Sequence, residues 1–167
     1  MLEALAGIAF EAGAALKERK QTIAVVDGST GGLISASLLA MPGASAFYLG
    51  GGVIYTLKGR RIVLGHQPGS LRRFTSATEA YAVAQARLIR ERYGADWGIA
   101  ETGASGGSAH PLGVASGTSA IGVVGPEGFE ATTLVMTESN VRLENMQMFT
   151  QAALLLLRDT LNAQSVS

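Results

Sequence analysis

Residues 22–40 read "TIAVVDGSTGGLISASLLA", and this stretch decides which class of fold the chain can adopt. The apolar run at its start, rich in β-branched residues, is typical of a buried strand. The small-residue turn that follows leads into a segment that predicts a helix from about Gly31 to Ala40. A buried strand, a tight turn and a helix form the first part of an α/β unit, so we predict helices packed on a sheet.

Helices and strands also alternate outward from this stretch, and the last strands are joined by the short turn "PEGF". This order predicts a three-layer α/β/α sandwich on a mixed sheet, in a single domain over 1–167. Ser76 and Glu79 form a capping-box pattern for one helix, and Gly94 is placed to end it. We predict helices at 2–19, 31–40, 58–65, 76–93 and 140–162, and strands at 22–28, within 43–60, and at 95–102, 118–126 and 130–136.

The composition excludes some classes of protein and argues against others. The chain has 167 residues, of which 47% are hydrophobic and 16% charged, a balance that excludes disorder. Thirteen basic and thirteen acidic side chains give a formal net charge of zero, which argues against nucleic-acid binding. No apolar run is long enough to cross a membrane and no targeting segment is visible, so we expect a cytoplasmic protein.

Residue types also exclude some chemistry. Cysteine is absent, which removes disulfides, thiolate metal sites and a cysteine nucleophile. The two histidines, His66 and His110, are far apart and are interpreted as surface or loop residues. We expect no metal site, since zinc would need more histidine or carboxylate partners than the sequence offers.

Two stretches near the first strand offer candidate sites. The helix start at Ser29, Thr30 and Gly31 has free backbone N–H groups that suit an anion such as phosphate. The alternative, which this stretch favours when taken alone, is a plain helix cap by Ser29 or Thr30. Ser45, Tyr55 and Lys58 surround the triple glycine at 50–52. A serine becomes nucleophilic when a base takes its proton, and a lysine or a relaying tyrosine is the available base. The alternative is that these three residues share no purpose.

Two further candidates lie later in the chain. The strand that ends at Thr102 runs into a glycine-rich loop, where α/β proteins commonly bind ligands. A mobile surface loop is the alternative. Arg142 stands at the start of the last helix and opposes the helix dipole, which suggests pairing with a ligand anion or simple solvation.

These segments together resemble the CinA C-terminal domain family, the PncC-like nicotinamide-nucleotide amidases, in the stand-alone form. The resemblance covers about residues 5–162 and rests on four ordered motifs. The family pattern A-E-S-C-T-G-G corresponds to "VDGSTGG", and P-G-S-S-A-x-F-x-x-G-x-V-T-Y-S-N to "PGASAFYLGGGVIYTL". The pattern G-A-D-x-x-x-x-x-T-G-x-A-G corresponds to "GADWGIAETGASG", and an arginine just inside the last helix corresponds to Arg142.

The resemblance implies a function. Family members hydrolyse the carboxamide of nicotinamide mononucleotide (NMN) to nicotinate mononucleotide and ammonia, without a metal or other cofactor. It implies that Ser45 is the nucleophile and that Tyr55 and Lys58 activate it. The implied substrate contacts are Ser29, Thr30, Gly31, Arg60, Thr102, Gly103 and Arg142.

The departures from the family pattern keep other functions open. The family glutamate and serine of the first motif are Asp27 and Gly28 here, Gly50 and Gly52 replace larger residues, and Arg60 stands where a lysine is expected. These changes leave open an altered substrate or a nucleotide-binding paralogue without activity. An interaction protein linked to competence or DNA damage is a third hypothesis. The apolar run "AALLLL" at 152–157 suggests a dimer or higher homo-oligomer, unless it is core.

Overall fold

The fold was obtained as a computed structural model, which describes residues 1–164. Within these residues, five helices and five strands follow one another in the predicted alternation, with short 3₁₀ turns at Ala44–Ala46 and Pro126–Gly128. The helices are α1 (Leu2–Arg19), α2 (Leu33–Leu39), α3 (Leu57–Leu64), α4 (Glu79–Tyr93) and α5 (Arg142–Gln164). The strands are β1 (Ile23–Asp27), β2 (Tyr48–Val53), β3 (Trp97–Ala104), β4 (Thr118–Val124) and β5 (Glu130–Met136).

The strands form one mixed sheet in the order β2-β1-β3-β4-β5. β1 runs parallel to both β2 and β3, whereas β4 is antiparallel to β3 and to β5. The carboxyl ends of β1, β2 and β3 therefore meet at the same edge of the sheet. This is the edge at which open α/β sheets bind ligands.

The predicted three-layer sandwich is confirmed by the two hydrophobic clusters that flank the sheet. One cluster joins α1, α2 and α5 to the sheet and includes the fully buried Phe47. The other joins α4 and the end of α3 to the opposite face, with Ile89 fully buried. The apolar run at 152–157 contributes Leu154 and Leu157 to the first cluster, so the structure supports the core explanation for this run.

The triple glycine lies inside β2, and each glycine makes room for a different neighbour. A Cβ on Gly51 would collide with the carbonyl oxygen of Val25 in β1. Gly50 has a φ of 151°, and a side chain there would meet the ring of Tyr93. A Cβ on Gly52 would lie 2.7 Å from a methyl group of Val63. β2 therefore forms a strand despite its three glycines, because its neighbours lie too close to leave room for larger side chains at these positions.

The predicted capping box of α4 was wrong. The helix begins at Glu79, and the side chain of Thr78 accepts a hydrogen bond from the backbone N–H of Tyr81. Ser76 lies two residues before this cap, so it has no helical N–H within reach of the capping geometry. The predicted end of the helix is confirmed, since Gly94 adopts the left-handed conformation.

No helix within residues 1–164 combines the length and apolar character that crossing a membrane requires.

Candidate functional site

A cavity of about 360 Å³ opens at the edge where β1, β2 and β3 end. Its volume falls within the usual range for small-molecule sites. The turn after β1, the segment from β2 into α3, the end of β3 with its following loop, and α4 supply its walls. The lining residues include Gly28, Ser29, Tyr55, Arg60, Ser76, Tyr81, Gln85, Glu101, Thr102, Gly103, Ser105, Ser108, His110 and Arg142.

Glu101 is a charged side chain of β3 that is 0% exposed. Its Oε1 accepts hydrogen bonds from the hydroxyls of Ser29, at 2.6 Å, and Ser119, at 2.5 Å. Its Oε2 accepts one from the backbone N–H of Thr30 at 3.0 Å. Burial raises the pKa of this carboxyl above its ordinary value, and the three hydrogen bonds oppose that rise only in part.

Gly28 is explained by its closeness to Glu101. A Cβ on this glycine would collide with the backbone carbonyl oxygen of Glu101 and would lie 3.2 Å from Oε2. The serine that the family pattern has at position 28 would not fit here unless β1 or β3 moved. In this turn, the hydroxyl of the neighbouring Ser29 faces the carboxyl of Glu101.

Asp27 organises the start of α2. Its fully buried carboxylate accepts hydrogen bonds from the Thr30 hydroxyl at 2.7 Å and the Ile34 backbone N–H at 2.9 Å. The hydroxyl and the backbone N–H of Ser35 also donate to it. Thr30 is consequently buried outside the cavity lining, and the exposed Gly31 also lies outside it. Of the three residues predicted to bind substrate in this turn, the structure places Ser29 in the cavity.

Two arginines line the cavity. Arg60 donates a hydrogen bond to the Tyr81 hydroxyl and lies with its guanidinium carbon 5.5 Å from the centre of that ring. The Nε of Arg60 is buried and has no hydrogen-bond partner within the part of the chain that the structure describes. Arg142 donates to the Ser105 hydroxyl at 2.8 Å. The cavity therefore has two cations that can face an anionic ligand.

The predicted β3 residues lie at the cavity as well. Thr102 is 9% exposed, and its hydroxyl oxygen accepts a hydrogen bond from the backbone N–H of Ala77 at 3.3 Å. Gly103 follows it, and a Cβ there would lie 2.8 Å from the hydroxyl oxygen of Ser29. Both residues line the cavity, as expected for the end of a strand that runs into a binding loop.

The predicted group of Ser45, Tyr55 and Lys58 does not come together within one chain. Ser45 is exposed in the 3₁₀ turn before β2, whereas Tyr55 follows β2 at the cavity edge and is 79% exposed. The six residues of β2 lie between them, a separation of roughly 20 Å at about 3.3 Å per residue. Lys58 is exposed in the first turn of α3 and does not line the cavity. Of this group, the structure places Tyr55 alone at the cavity.

Sequence reasoning missed Glu101 and His110. The signal for Glu101 was available, because it is a charged residue in the middle of a strand that is otherwise small or apolar. His110 was expected to be a surface or loop residue, and it does lie in a loop, but that loop forms a wall of the cavity. Its Nδ1 accepts a hydrogen bond from the backbone N–H of Leu112 at 3.1 Å.

Across residues 1–164, no three side chains of histidine, aspartate or glutamate lie close enough together to hold a metal ion.

Sequence comparison identifies relatives over nearly the whole chain. Residues 6–161 match the family model described as the CinA C-terminal domain. A CinA-like protein of Desulfosudis oleivorans is 34% identical over 155 residues, which cover 92% of this chain and 37% of that protein. A CinA-like protein of Synechocystis sp. is 37% identical over 121 residues, which cover 72% of this chain and 29% of that protein. The chain thus spans about a third of the length of these curated relatives.

Solved structures share the fold. A competence-damaged protein (CinA) superfamily protein from Enterobacter cloacae superposes with a TM-score of 0.84 at 25% identity, covering 94% of this chain and 92% of that one. The competence/damage inducible protein CihA from Agrobacterium tumefaciens gives a TM-score of 0.85 at 23% identity, with 95% of each chain covered. The identity to the second structure is low enough that it supports the fold alone.

Proposed function

The chain belongs to the CinA C-terminal domain family, and from this premise we propose that it is an amidohydrolase acting on NMN or a close relative. Water would replace the amide nitrogen, giving nicotinate mononucleotide and ammonia. The observation that carries the proposal is the presence of two guanidinium groups and a buried, hydroxyl-bonded carboxyl in one cavity of about 360 Å³.

The arginines suit the phosphate of a nucleotide. A planar guanidinium can donate two parallel hydrogen bonds to phosphate oxygens, and both Arg60 and Arg142 line the cavity. Arg142 is held by Ser105, so its orientation is partly set before a ligand arrives. Arg60 lines the same cavity, and its guanidinium is positioned by the Tyr81 hydroxyl and ring. These features favour a mononucleotide over an uncharged amide.

The interior of the cavity suits the carboxamide. Ser29 and Glu101 offer a hydroxyl and a carboxyl, and Thr102 and Gly103 stand beside them at the end of β3. A carboxamide presents both donors and an acceptor, so it can hydrogen-bond to groups of this kind. Hydrolysis needs a nucleophile, a proton acceptor and donors for the oxyanion, all of which this region can supply.

The test is hydrolysis of NMN by the purified chain, with ammonia and nicotinate mononucleotide both quantified. We expect turnover by the wild type and a KM raised about 10- to 100-fold in Arg142→Gln, because a charged hydrogen bond to phosphate is lost. Arg72→Gln is the matched control, since Arg72 is exposed and lies outside the cavity lining. Absence of turnover by the wild type would refute the proposal, as would equal KM values for the two arginine variants.

A nucleotide-binding protein without amidase activity is the second candidate. It is favoured by Gly28, which stands where the family pattern has a serine and which leaves no space for that side chain. Measuring both NMN binding and ammonia release separates the two candidate functions. A rise in the melting temperature with NMN, together with no release of ammonia, supports the binding protein, whereas turnover excludes it.

A further inference from the structure

We propose that the free edge of β5 is an interaction surface, and that the partner it takes is β5 of a second copy of this chain. The two sheets would join edge to edge about a two-fold axis and form one continuous sheet. This inference is independent of the proposed reaction. The cavity lies where β1, β2 and β3 end, whereas β5 is the last strand on the far side of β4.

The two edge strands of the sheet differ in how they are protected. An exposed edge can pair with another chain, and proteins commonly prevent this with bulges, prolines or lysines. At β2, the pairing with β1 shifts register between Ile23 and Ala24, and Gly50 has a φ of 151°. β5 pairs with β4 along its whole length in one register, and its sequence, EATTLVM, contains neither proline nor lysine. β5 is therefore the regular and unprotected edge.

Hydrogen bonds at the two ends of the β4–β5 pair show which backbone groups of β5 point outward. The N–H of Gly125 donates to the carbonyl of Phe129, and the N–H of Thr137 donates to the carbonyl of Gly117. Antiparallel strands alternate hydrogen-bonded and non-hydrogen-bonded pairs, so the odd-numbered residues of β5 bond to β4. The N–H and carbonyl groups of the even-numbered residues face away from β4. These residues are Glu130, Thr132, Leu134 and Met136.

The side chains of the same four residues form an exposed face. Burial alternates along β5, and the even-numbered positions are the exposed ones. Leu134 is 48% exposed and Met136 is 67% exposed. Two large apolar side chains thus stand beside backbone groups that β4 does not bond. An edge that combines these two features favours pairing with another strand.

The outward groups of β5 are complementary to those of a second copy. In an antiparallel pair centred on Thr133, Glu130 stands opposite the partner's Met136, and Thr132 stands opposite the partner's Leu134. Each outward residue then faces another outward residue, so every outward N–H and carbonyl group of β5 has a partner. This register follows from the alternation alone and uses the whole strand.

The charges also permit two copies to meet. Glu130 is the charged residue of β5 and lies at its first position. In the register centred on Thr133, the two copies of Glu130 lie six residues apart along the strand, roughly 20 Å at about 3.3 Å per residue. The formal net charge of the chain is zero, so long-range repulsion between copies is small.

A groove beside β5 can receive an apolar side chain of the partner. This groove has a volume of about 370 Å³, and Phe74, Val83 and Ala84 are among its lining residues. Glu130 also lines it and forms an ion pair with Arg87. Residues that stand opposite each other share one face of a sheet. The partner's Met136, opposite Glu130, therefore lies beside the groove.

A cysteine on the two-fold axis tests the register. The chain has no cysteine of its own, so Thr133→Cys can form a disulfide only between two copies. Opposite residues of a non-hydrogen-bonded pair have Cα atoms about 4.5 Å apart, which a disulfide can bridge. We expect mild oxidation to link Thr133→Cys at least about 10-fold faster than the control Leu49→Cys, an exposed position on β2. Equal rates, or faster linkage of Leu49→Cys, would overturn the proposal.

Sedimentation at a series of protein concentrations tests the association itself. We expect the wild type to form a dimer. Leu134→Lys should raise the dissociation constant about 10-fold or more, because the two lysines would lie diagonally across the axis. Leu49→Lys is the matched control and should leave the constant unchanged, since its side chain is on the other edge. A wild type that is monomeric at every concentration would overturn the proposal, as would equal effects of the two lysines.

Amide hydrogen exchange followed by NMR tests the interface without a variant. The N–H groups of Ala131, Thr133 and Val135 should be protected by β4 at every concentration. Those of the four outward residues should become protected only as the dimer forms. Rapid exchange of the outward N–H groups in a dimer would place the interface elsewhere and overturn the proposal. Protection that is independent of concentration would also overturn it, because β5 would then be covered within one chain.

Discussion

The buried carboxyl of Glu101 has a structural cost. Placing a carboxyl in a fully buried position of β3 disfavours its ionised form, and the hydrogen bonds from Ser29, Ser119 and Thr30 offset part of that cost. A leucine or valine here would pack in the sheet without needing any partner. The position therefore carries a group that weakens the fold at neutral pH, which is common where chemistry is performed.

Glu101 should make the stability of the protein depend on pH. Because the pKa of Glu101 is raised from 4.5 in the folded state, the folded chain holds this proton at pH values where the unfolded chain has lost it. The free energy of unfolding should thus fall as the pH rises from about 4.5 toward the folded pKa, by up to about 1.4 kcal/mol per pH unit from this group.

Urea denaturation between about pH 4.5 and 8 measures this dependence. Glu101→Gln should show a smaller loss of unfolding free energy with rising pH than the wild type. Glu91→Gln is the matched control, since Glu91 is an exposed glutamate of α4. If Glu101→Gln and the wild type lose stability in parallel over this range, Glu101 does not hold a proton in the way described.

At the scale of single elements, β2 depends on its middle glycine. In Gly51→Ala, the added methyl group would collide with the carbonyl oxygen of Val25, so β1 and β2 would have to separate. We expect a loss of about 3 kcal/mol or more in unfolding free energy. The control is Gly7→Ala in α1, where nothing lies within 4 Å and the helix should gain about 0.5–1 kcal/mol. Chemical denaturation of both variants measures the two changes in unfolding free energy. Similar changes in Gly51→Ala and Gly7→Ala would contradict this explanation of Gly51.

The start of α4 gives a second prediction at this scale. Thr78→Ala removes the hydroxyl that accepts from the Tyr81 N–H and should reduce the unfolding free energy by about 1 kcal/mol. Ser76→Ala should have less effect, since Ser76 lies outside the cap. Thermal or urea unfolding of the two variants provides the comparison. A larger loss in Ser76→Ala would restore the capping box that the sequence pattern indicated.

For the whole molecule, hydrophobic pattern and turn chemistry were sufficient to predict the order of the elements. The buried run of β1, the glycine at the end of α4 and the short turn before β5 are local signals, and each was confirmed. Local patterns did not reveal why Gly50, Gly51 and Gly52 stand together in β2. The neighbours that require glycine at these positions are Tyr93, Val25 and Val63, and two of these three residues belong to elements distant in sequence.

The site was less predictable because closeness along the chain differs from closeness in the fold. Ser45 and Tyr55 are ten residues apart, yet β2 lies between them and puts them at opposite edges of the sheet. Ser29 and Glu101 are 72 residues apart and form a hydrogen bond, because β1 and β3 are neighbours in the sheet. Arg142 reaches the same cavity from the last helix.

The central claim is that NMN reacts in the cavity where β1, β2 and β3 end. A crystal structure of the chain grown with NMN tests it most directly. We predict phosphate oxygens within hydrogen-bond distance of the Arg142 guanidinium, and the carboxamide beside residue 29 and Gly103. A nucleotide bound instead against Ser45, at the opposite edge of the sheet, would contradict the claim.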